Sequence, residues 1–289
     1  MHSSDPIQRI VIVGGGSAGW LTAGLLAGEY RLGPESDLHI TLVESPDVQT
    51  VGVGEGTWPT MRSTLQRIGI SESEFLVECS AAFKQGTRFD GWRTGEENDR
   101  YYHPFSPPAA YARHHLAPNW QARAGESSFV DAVTPQGRVC DQDLAPRPID
   151  APDFSALFNY GYHLDAGKFA GLLQRHCTER LGVSHVLDHV TAVNGATDGD
   201  IDSISTAKHG KIHGDLVIDC TGLNALLLNG HYGIDFVDCR DVLFNDSALA
   251  VQVPYRSVTD PVASQTISTA QEAGWTWDIG LSSRRGVGY

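Results

Sequence analysis

This sequence predicts an α/β fold: a parallel sheet interrupted by a β-meander, joined to a second region that is β-rich and irregular. Three observations carry that prediction. Residues 9–13, "RIVIV", form a β-branched apolar run that stops at glycines, the pattern of a strand buried on both faces. Gly14, Gly16 and Gly19 then follow G-x-G-x-x-G spacing and open an apolar, helix-forming stretch, "GWLTAGLLAGEY". Far along the chain, residues 215–222, "DLVIDCTG", read as a late strand that rejoins the sheet and ends in a turn of small residues.

The remaining elements follow in order. "HITLVES", 39–45, is a second strand and completes a βαβ unit. "VGVGEGTWPT" is a glycine-rich loop, after which Met61, Leu65 and Ile68 fall at helical spacing with Gly69 as the stop. Ser71 and Glu74 make a capping-box pattern, predicting a helix through "SESEFLVECSAAF". Lys84 then sits where that helix gives way to a strand over "TRFDGW". Residues 93–155 show little periodicity, and because a structureless stretch that long is unusual inside a compact domain they are expected to be a functional lid or an inserted subdomain. Asp165 caps a helix over "AGKFAGLLQRHCTERLG". "SHVLDHVTAVNG", "DSISTAK" and "GKIHGDLVIDC" read as the meander, and "GWTWDIGLSSRRGVGY" as alternating strand material. Because that last stretch stops without closing polar residues, sequence is expected to be missing beyond it. The expected partition is a discontinuous nucleotide-binding domain over 1–92 and 156–235, a lid or substrate region over 93–155, and the start of a substrate-side β region over 236–289.

Composition narrows the function classes. The formal net charge is −14 with no Lys/Arg cluster, which argues against nucleic acid and anionic membranes as partners. Five cysteines at 79, 140, 177, 220 and 239, with no CxxC pair, suit reduced thiols and not a disulfide frame or zinc site. Neither a signal peptide nor a membrane span is readable, so a cytoplasmic setting is the default. His114 and His115 have no companions at metal-ligand spacing.

The glycine turn points to a dinucleotide. Gly14 permits the tight turn, Gly16 lets the backbone approach a pyrophosphate, and Gly19 packs the helix on the strand. Ser17 and Ala18 share that first helical turn. Glu44 closes the second strand, where a carboxylate can accept a ribose hydroxyl. The fingerprint alone leaves FAD and NAD open. The late strand and the meander before it fit an FAD-binding Rossmann-like domain, with Val190 and Gly222 expected beside the cofactor.

Lys84 is the only lysine in the first 167 residues, although arginine is plentiful there. As a structural residue it would be a solvated cation at a helix end. As a functional one it would be a desolvated amine with a lowered pKa and an available lone pair, a role arginine cannot fill.

Several stretches together carry a resemblance. "VIVGGGSAGW", "TLVES", "GVGEGT", "FKQGTRFDGW", "YHPF", "YGYHLDAGKFAGLL", "DLVIDCTG" and "GWTWDIGL" resemble, in order, the landmarks of the flavin-dependent halogenases of the tryptophan halogenase type. The resemblance implies that reduced FAD, delivered by a separate flavin reductase, uses dioxygen to turn chloride or bromide into hypohalous acid. That acid travels to an essential lysine and halogenates a small electron-rich arene, indole- or phenol-like. Lys84 matches that lysine, and Val51, Gly52, Val53, Gly54 and Glu55 match the strap along the flavin ring, Glu55 ordering it. His103 and Phe105 match residues flanking the substrate. Trp275 and Trp277 match the W-x-W-x-I-P signature that separates substrate from flavin, although Gly280 stands where the family has proline, which frees that backbone. The family's partner glutamate, halide site and much of its helical cap lie past the point matching Tyr289, so the chain alone is expected to bind FAD poorly and not to halogenate. The alternatives are a flavin monooxygenase or oxidoreductase, and an inactive remnant that only binds nucleotide. A homodimer, the arene and the preferred halide are left open.

Overall fold

The structure is a computed structural model describing residues 6–33, 35–48, 52–123, 125–196 and 198–289. In chain order it forms β1 (Arg9–Val13), α1 (Ser17–Glu29), β2 (His39–Glu44), β3 (Glu55–Gly56), α2 (Thr60–Ile68) and α3 (Glu72–Glu78). Next come β4 (Ala82–Lys84), β5 (Gly86–Asp90), β6 (Arg100–Pro104), α4 (Leu116–Gln121), α5 (Phe129–Val133) and α6 (Gln136–Asp141). The chain continues through β7 (Gly161–Leu164), α7 (Ala166–Glu179), β8 (Ser184–Leu187), β9 (Val190–Gly195), β10 (Ile201–Thr206), β11 (Gly210–His213) and β12 (Leu216–Asp219). Last are β13 (Ala250–Pro254), β14 (Thr266–Gln271), β15 (Gly274–Gly280) and β16 (Arg284–Gly288).

These elements fall into two compact units, residues 1–51, 66–70 and 167–242, and residues 52–65, 71–166 and 243–289. The first is built on a parallel sheet of order β12-β1-β2-β8. Ile10 to Val13 are all buried, as a strand covered on both faces requires. β9, β10 and β11 form a separate antiparallel meander. Ile204 of β10 packs with Val11, Val13 and Val43, so the meander covers one face of the parallel sheet. One reading is corrected here: "SHVL" is not the start of the meander but β8, the edge of the parallel sheet. "GKIHGDLVIDC" gives β11 to the meander, and after Gly214 its late strand rejoins the parallel sheet as expected, as β12 beside β1.

The second unit holds a six-stranded sheet, β13-β16-β15-β14-β5-β6, and a three-stranded antiparallel sheet, β3-β7-β4. In the larger sheet only β14 and β5 pair in parallel. Ser71 caps α3, its hydroxyl accepting from the Glu74 N–H at 3.2 Å. That helix ends at Glu78, five residues before Phe83, because Ala82–Lys84 pair with β7 instead. Within the 93–155 stretch, despite its weak periodicity, β6 pairs with β5, and α4, α5 and α6 follow. A buried Glu72 anchors the chain after α6. Its carboxylate accepts from Tyr160 Oη (2.5 Å), Tyr162 Oη (2.6 Å) and the Phe154 N–H (2.7 Å), and pairs with Arg147 (3.1 Å). Burial, reinforced by those bonds, pushes both tyrosine pKa values up.

Candidate active site

In the first unit the glycine turn opens a cleft of about 410 Å³. Gly14, Gly16, Glu44, Val190 and Gly222 all line it. Gly14 has φ +114°, and a Cβ there would lie 2.1 Å from the Cys220 carbonyl oxygen, so only glycine fits between β1 and the end of β12. The turn is stitched to β2 by Gly14 N–H donating to Val43 O at 2.9 Å. Gly16 is the N-cap of α1, and nothing of the chain lies within 4 Å of a Cβ placed there. No side chain caps that helix, and no acidic residue stands in its first turn, where Ser17, Ala18 and Gly19 begin it. Its terminal N–H groups are thus left to an anion in the space before Gly16. Those features fit the pyrophosphate of a dinucleotide. Behind the Cys220–Gly222 turn that borders the cleft, Asp219 accepts from the Thr221 hydroxyl and from the Leu227 and Leu228 N–H groups. Burial raises its pKa, but those bonds outweigh burial and leave it below the ordinary carboxylate value.

The second unit carries the lysine. Lys84 ends β4, opposite Gly161 of β7. Its Nζ would be 2.7 Å from a Cβ on Gly56, and it sits 5.5 Å from the centre of the Phe105 ring. The residue is half-buried, and burial alone lowers its pKa. Among the described residues no carboxylate pairs with it. Phe105 is buried, its N–H donating to Gln85 O at 3.0 Å, which ties it to the residue after the lysine. His103, exposed on β6, lies 6.4 Å from Phe105, and Trp58 touches both at 6.0 and 5.5 Å. An amine therefore stands at the end of a small aromatic wall.

His163 of β7 lies fully buried beside the lysine strand. Its Nδ1 is 3.1 Å from Gly280 O, a pure acceptor, so the proton is assigned to Nδ1. Its Nε2 then accepts from Thr266 Oγ1 at 2.9 Å. Burial, then the charge of Lys84, drives its pKa down to about 3.

The strap is represented by Gly52 to Glu55, since Val51 lies outside the described residues. Glu55 accepts from its neighbour's Val53 N–H (3.3 Å) and from Ala166 N–H at the start of α7 (3.0 Å). Burial raises its pKa against those bonds. Arg284 bonds Val53 O and pairs with Asp165 at 2.8 Å. Trp275 and Trp277, on one face of β15, line a separate hollow of about 340 Å³ with Asn245, Leu249 and Tyr289. The Trp277 ring crosses β16 over Gly288, where a Cβ would lie 2.0 Å from it.

Thus the structure gathers five predicted nucleotide residues around one cleft, gathers Lys84, His103 and Phe105 elsewhere, and sets the tryptophan pair in its own hollow. Sequence reasoning did not single out Gly56, Trp58 or His163. The first two follow the strap directly in "GEGTWP", but nothing in spacing says that a lysine 28 positions later comes to rest on that glycine. Among the described residues there is no cluster of three or more metal-ligating side chains, and no helix long and apolar enough to cross a membrane.

Comparison with known proteins gives a consistent result. The tryptophan halogenase family model matches residues 9–289. A tryptophan halogenase from Shewanella frigidimarina superposes with a TM-score of 0.95 at 50% identity, covering 99% of this chain and 56% of that one. Tar14, a tryptophan C-6 flavin-dependent halogenase (chlorinase) from taromycin biosynthesis, gives 0.88 at 38% identity, covering 98% and 56%. Tryptophan 7-halogenase RebH of Lentzea aerocolonigenes is 35% identical over 99% of this chain and 56% of its own length. The chain therefore spans little more than half the length of the relatives it matches.

Proposed function

Since the chain belongs to the tryptophan halogenase family, we propose that it is the part of an FADH2-dependent halogenase that holds the cofactor and presents the reactive amine. The substrate is a small electron-rich arene, indole- or phenol-like. The observation that carries this reading is the partly desolvated Lys84 amine, seated over Gly56 at the aromatic wall in a chain that also has an open glycine-turn cleft.

The N-terminus of α1, from Gly14 through Gly16, Ser17, Ala18 and Gly19, offers N–H groups to the FAD pyrophosphate. Glu44 takes the ribose hydroxyls, Val190 and Gly222 flank the nucleotide, and the strap from Val51 to Glu55 lies along the flavin ring. When bound, reduced FAD supplies, with dioxygen, the oxidising equivalents that convert halide to hypohalous acid.

The chain's own contribution is to hold that acid beside one carbon. Burial lowers the Lys84 pKa, which raises the fraction of free amine. The amine either hydrogen-bonds the acid or displaces hydroxide from it, giving a haloamine and water. Transfer of the halogen to the arene then returns the amine as the ring loses a proton. Phe105, Trp58 and His103 hold the arene face. Trp275 and Trp277 keep substrate from the flavin. A separate flavin reductase, dioxygen and halide are the implied partners, and a cytoplasmic setting goes with that supply of reductant.

The test is aerobic turnover by this chain continued to the full length of its relatives, with FAD, flavin reductase, NADH, bromide and a panel of indoles and phenols, read by mass spectrometry. Bromine isotope pairs in the product support the reading. Hydroxylated product alone would replace it with a monooxygenase.

A further inference from the structure

The carboxylate at the glycine turn is aimed by side chains that lie outside the dinucleotide fingerprint. Glu44 Oε2 is 2.9 Å from Nε2 of His185. His185 stands on β8, directly paired with Leu42 on β2, two residues from Glu44. Its Nδ1 is 3.2 Å from Gln174 Nε2 on α7. Its ring meets Trp20 of α1 edge-on at 5.0 Å. An amide N–H can only donate, so Nδ1 accepts from Gln174 and the imidazole proton is assigned to Nε2, which faces Glu44. That Nε2 is buried and has no well-aligned partner: Oε2 is within reach but off the N–H axis. On its other side Glu44 lies against the backbone of Gly15, where a Cβ would fall 2.1 Å from Glu44 Cδ. Gly15 occupies a variable position of G-x-G-x-x-G, yet here any side chain would collide with the carboxylate.

We propose that His185 is a positioning residue for the nucleotide, holding one oxygen of Glu44 so that the other is presented to the adenosine ribose. Gln174 fixes the tautomer and Gly15 leaves the room. A carboxylate tethered in this way loses less rotamer freedom when the ribose arrives than a free one does. Hydrogen bonds that are poorly aligned in an unliganded site commonly tighten once ligand binds, and at 2.9 Å Oε2 is already within reach of Nε2. The inference rests on the dinucleotide reading of the cleft.

The test measures binding of FAD and of its 2′,3′-dideoxyadenosine analogue to the full chain by quenching of flavin fluorescence, with no turnover. The wild type is expected to prefer FAD several-fold. His185→Leu, which keeps apolar contact with Trp20, is expected to lose about fivefold in FAD affinity with little change for the analogue. His185→Gln, whose amide N–H can reach the same oxygen, keeps the preference. In a Glu44→Gln background, His185→Leu has no further effect. Should His185→Leu fail to fold, Gln174→Met is the second probe and must lower the same preference. A His185→Leu or Gln174→Met protein that discriminates as the wild type does overturns the proposal, as does equal loss for both ligands. Equal wild-type binding of both ligands would remove Glu44 from the ribose and the proposal with it. No FAD binding at all would overturn the parent reading of the cleft.

Discussion

At the scale of single residues, the proposed chemistry rests on two glycines and one lysine. Gly14 is required by the approach of the Cys220 carbonyl, and Gly56 by the approach of the lysine Nζ. A methyl group at Gly56 cannot coexist with the amine where it now lies, since 2.7 Å is well inside contact distance. Lysine is flexible, so Gly56→Ala is expected to fold and to push the amine aside instead of breaking the sheet. Halogenation should fall by about tenfold or more while FAD affinity holds, because displacement of a reacting group by an ångström is costly in rate. Steady-state bromination and FAD titration check this, on one preparation of the chain continued to the full length of its relatives. The lone lysine in an arginine-using segment was legible in the sequence as a chemical oddity. What it rests on was not, because Gly56 and Lys84 meet only through their separate pairing to β7.

At the scale of elements, the small sheet β3-β7-β4 is the platform for that amine, and His163 bolts it to β15 and β14 through Gly280 and Thr266. This interaction also makes stability depend on pH. In the unfolded chain the imidazole titrates near 6.5, whereas in the fold its pKa is about 3. Between those values the unfolded state holds a proton that the folded state lacks, so stability falls as pH drops through that window. The expected slope from this one group approaches about 1.4 kcal/mol per pH unit. Denaturant unfolding at pH 7, 6, 5 and 4 should show it, and His163→Gln should be less stable at pH 7 but shallower in its decline. An equal slope in the variant would assign the acid sensitivity to other groups. Element by element, the sequence was most readable where local pattern and burial agree. β1, α1 and β2 follow from a β-branched run, a glycine turn and a second apolar run. The Ser71 cap follows from the side-chain spacing. Where the deciding partner is remote, the pattern misleads. "SHVL" looks like its neighbours in the meander, but pairs with β2. Residues 82–84 look like the end of a helix, but β7 claims them. β6 hides in a stretch rich in turn residues because its pairing with β5, not its own periodicity, defines it.

At the scale of the whole molecule, the fold was legible as a class and the family as an ordered set of motifs, and the structural likeness over 99% of the chain agrees with both. Each unit has its own task in the proposed function: the parallel-sheet unit holds nucleotide, and the mixed-sheet unit holds the amine. If the first task is real, ligand binding must stabilise the fold by mass action. FAD at one hundred times its dissociation constant should add about 2.7 kcal/mol, visible as a rise in Tm that riboflavin, lacking the pyrophosphate and adenosine, does not give. Gly14→Ala should abolish that rise. A Tm unmoved by FAD would mean that the cleft is not a dinucleotide site.

The account turns on whether the halogen passes through one amine, and Lys84→Ala tests that most directly. Made in the chain continued to the full length of its relatives and supplied with reduced FAD, dioxygen and bromide, the variant should still oxidise flavin and release hypobromous acid, trapped by a soluble scavenger, while brominated arene falls to the level of free acid in solution. Brominated arene formed at the wild-type rate and on the same carbon would contradict the account.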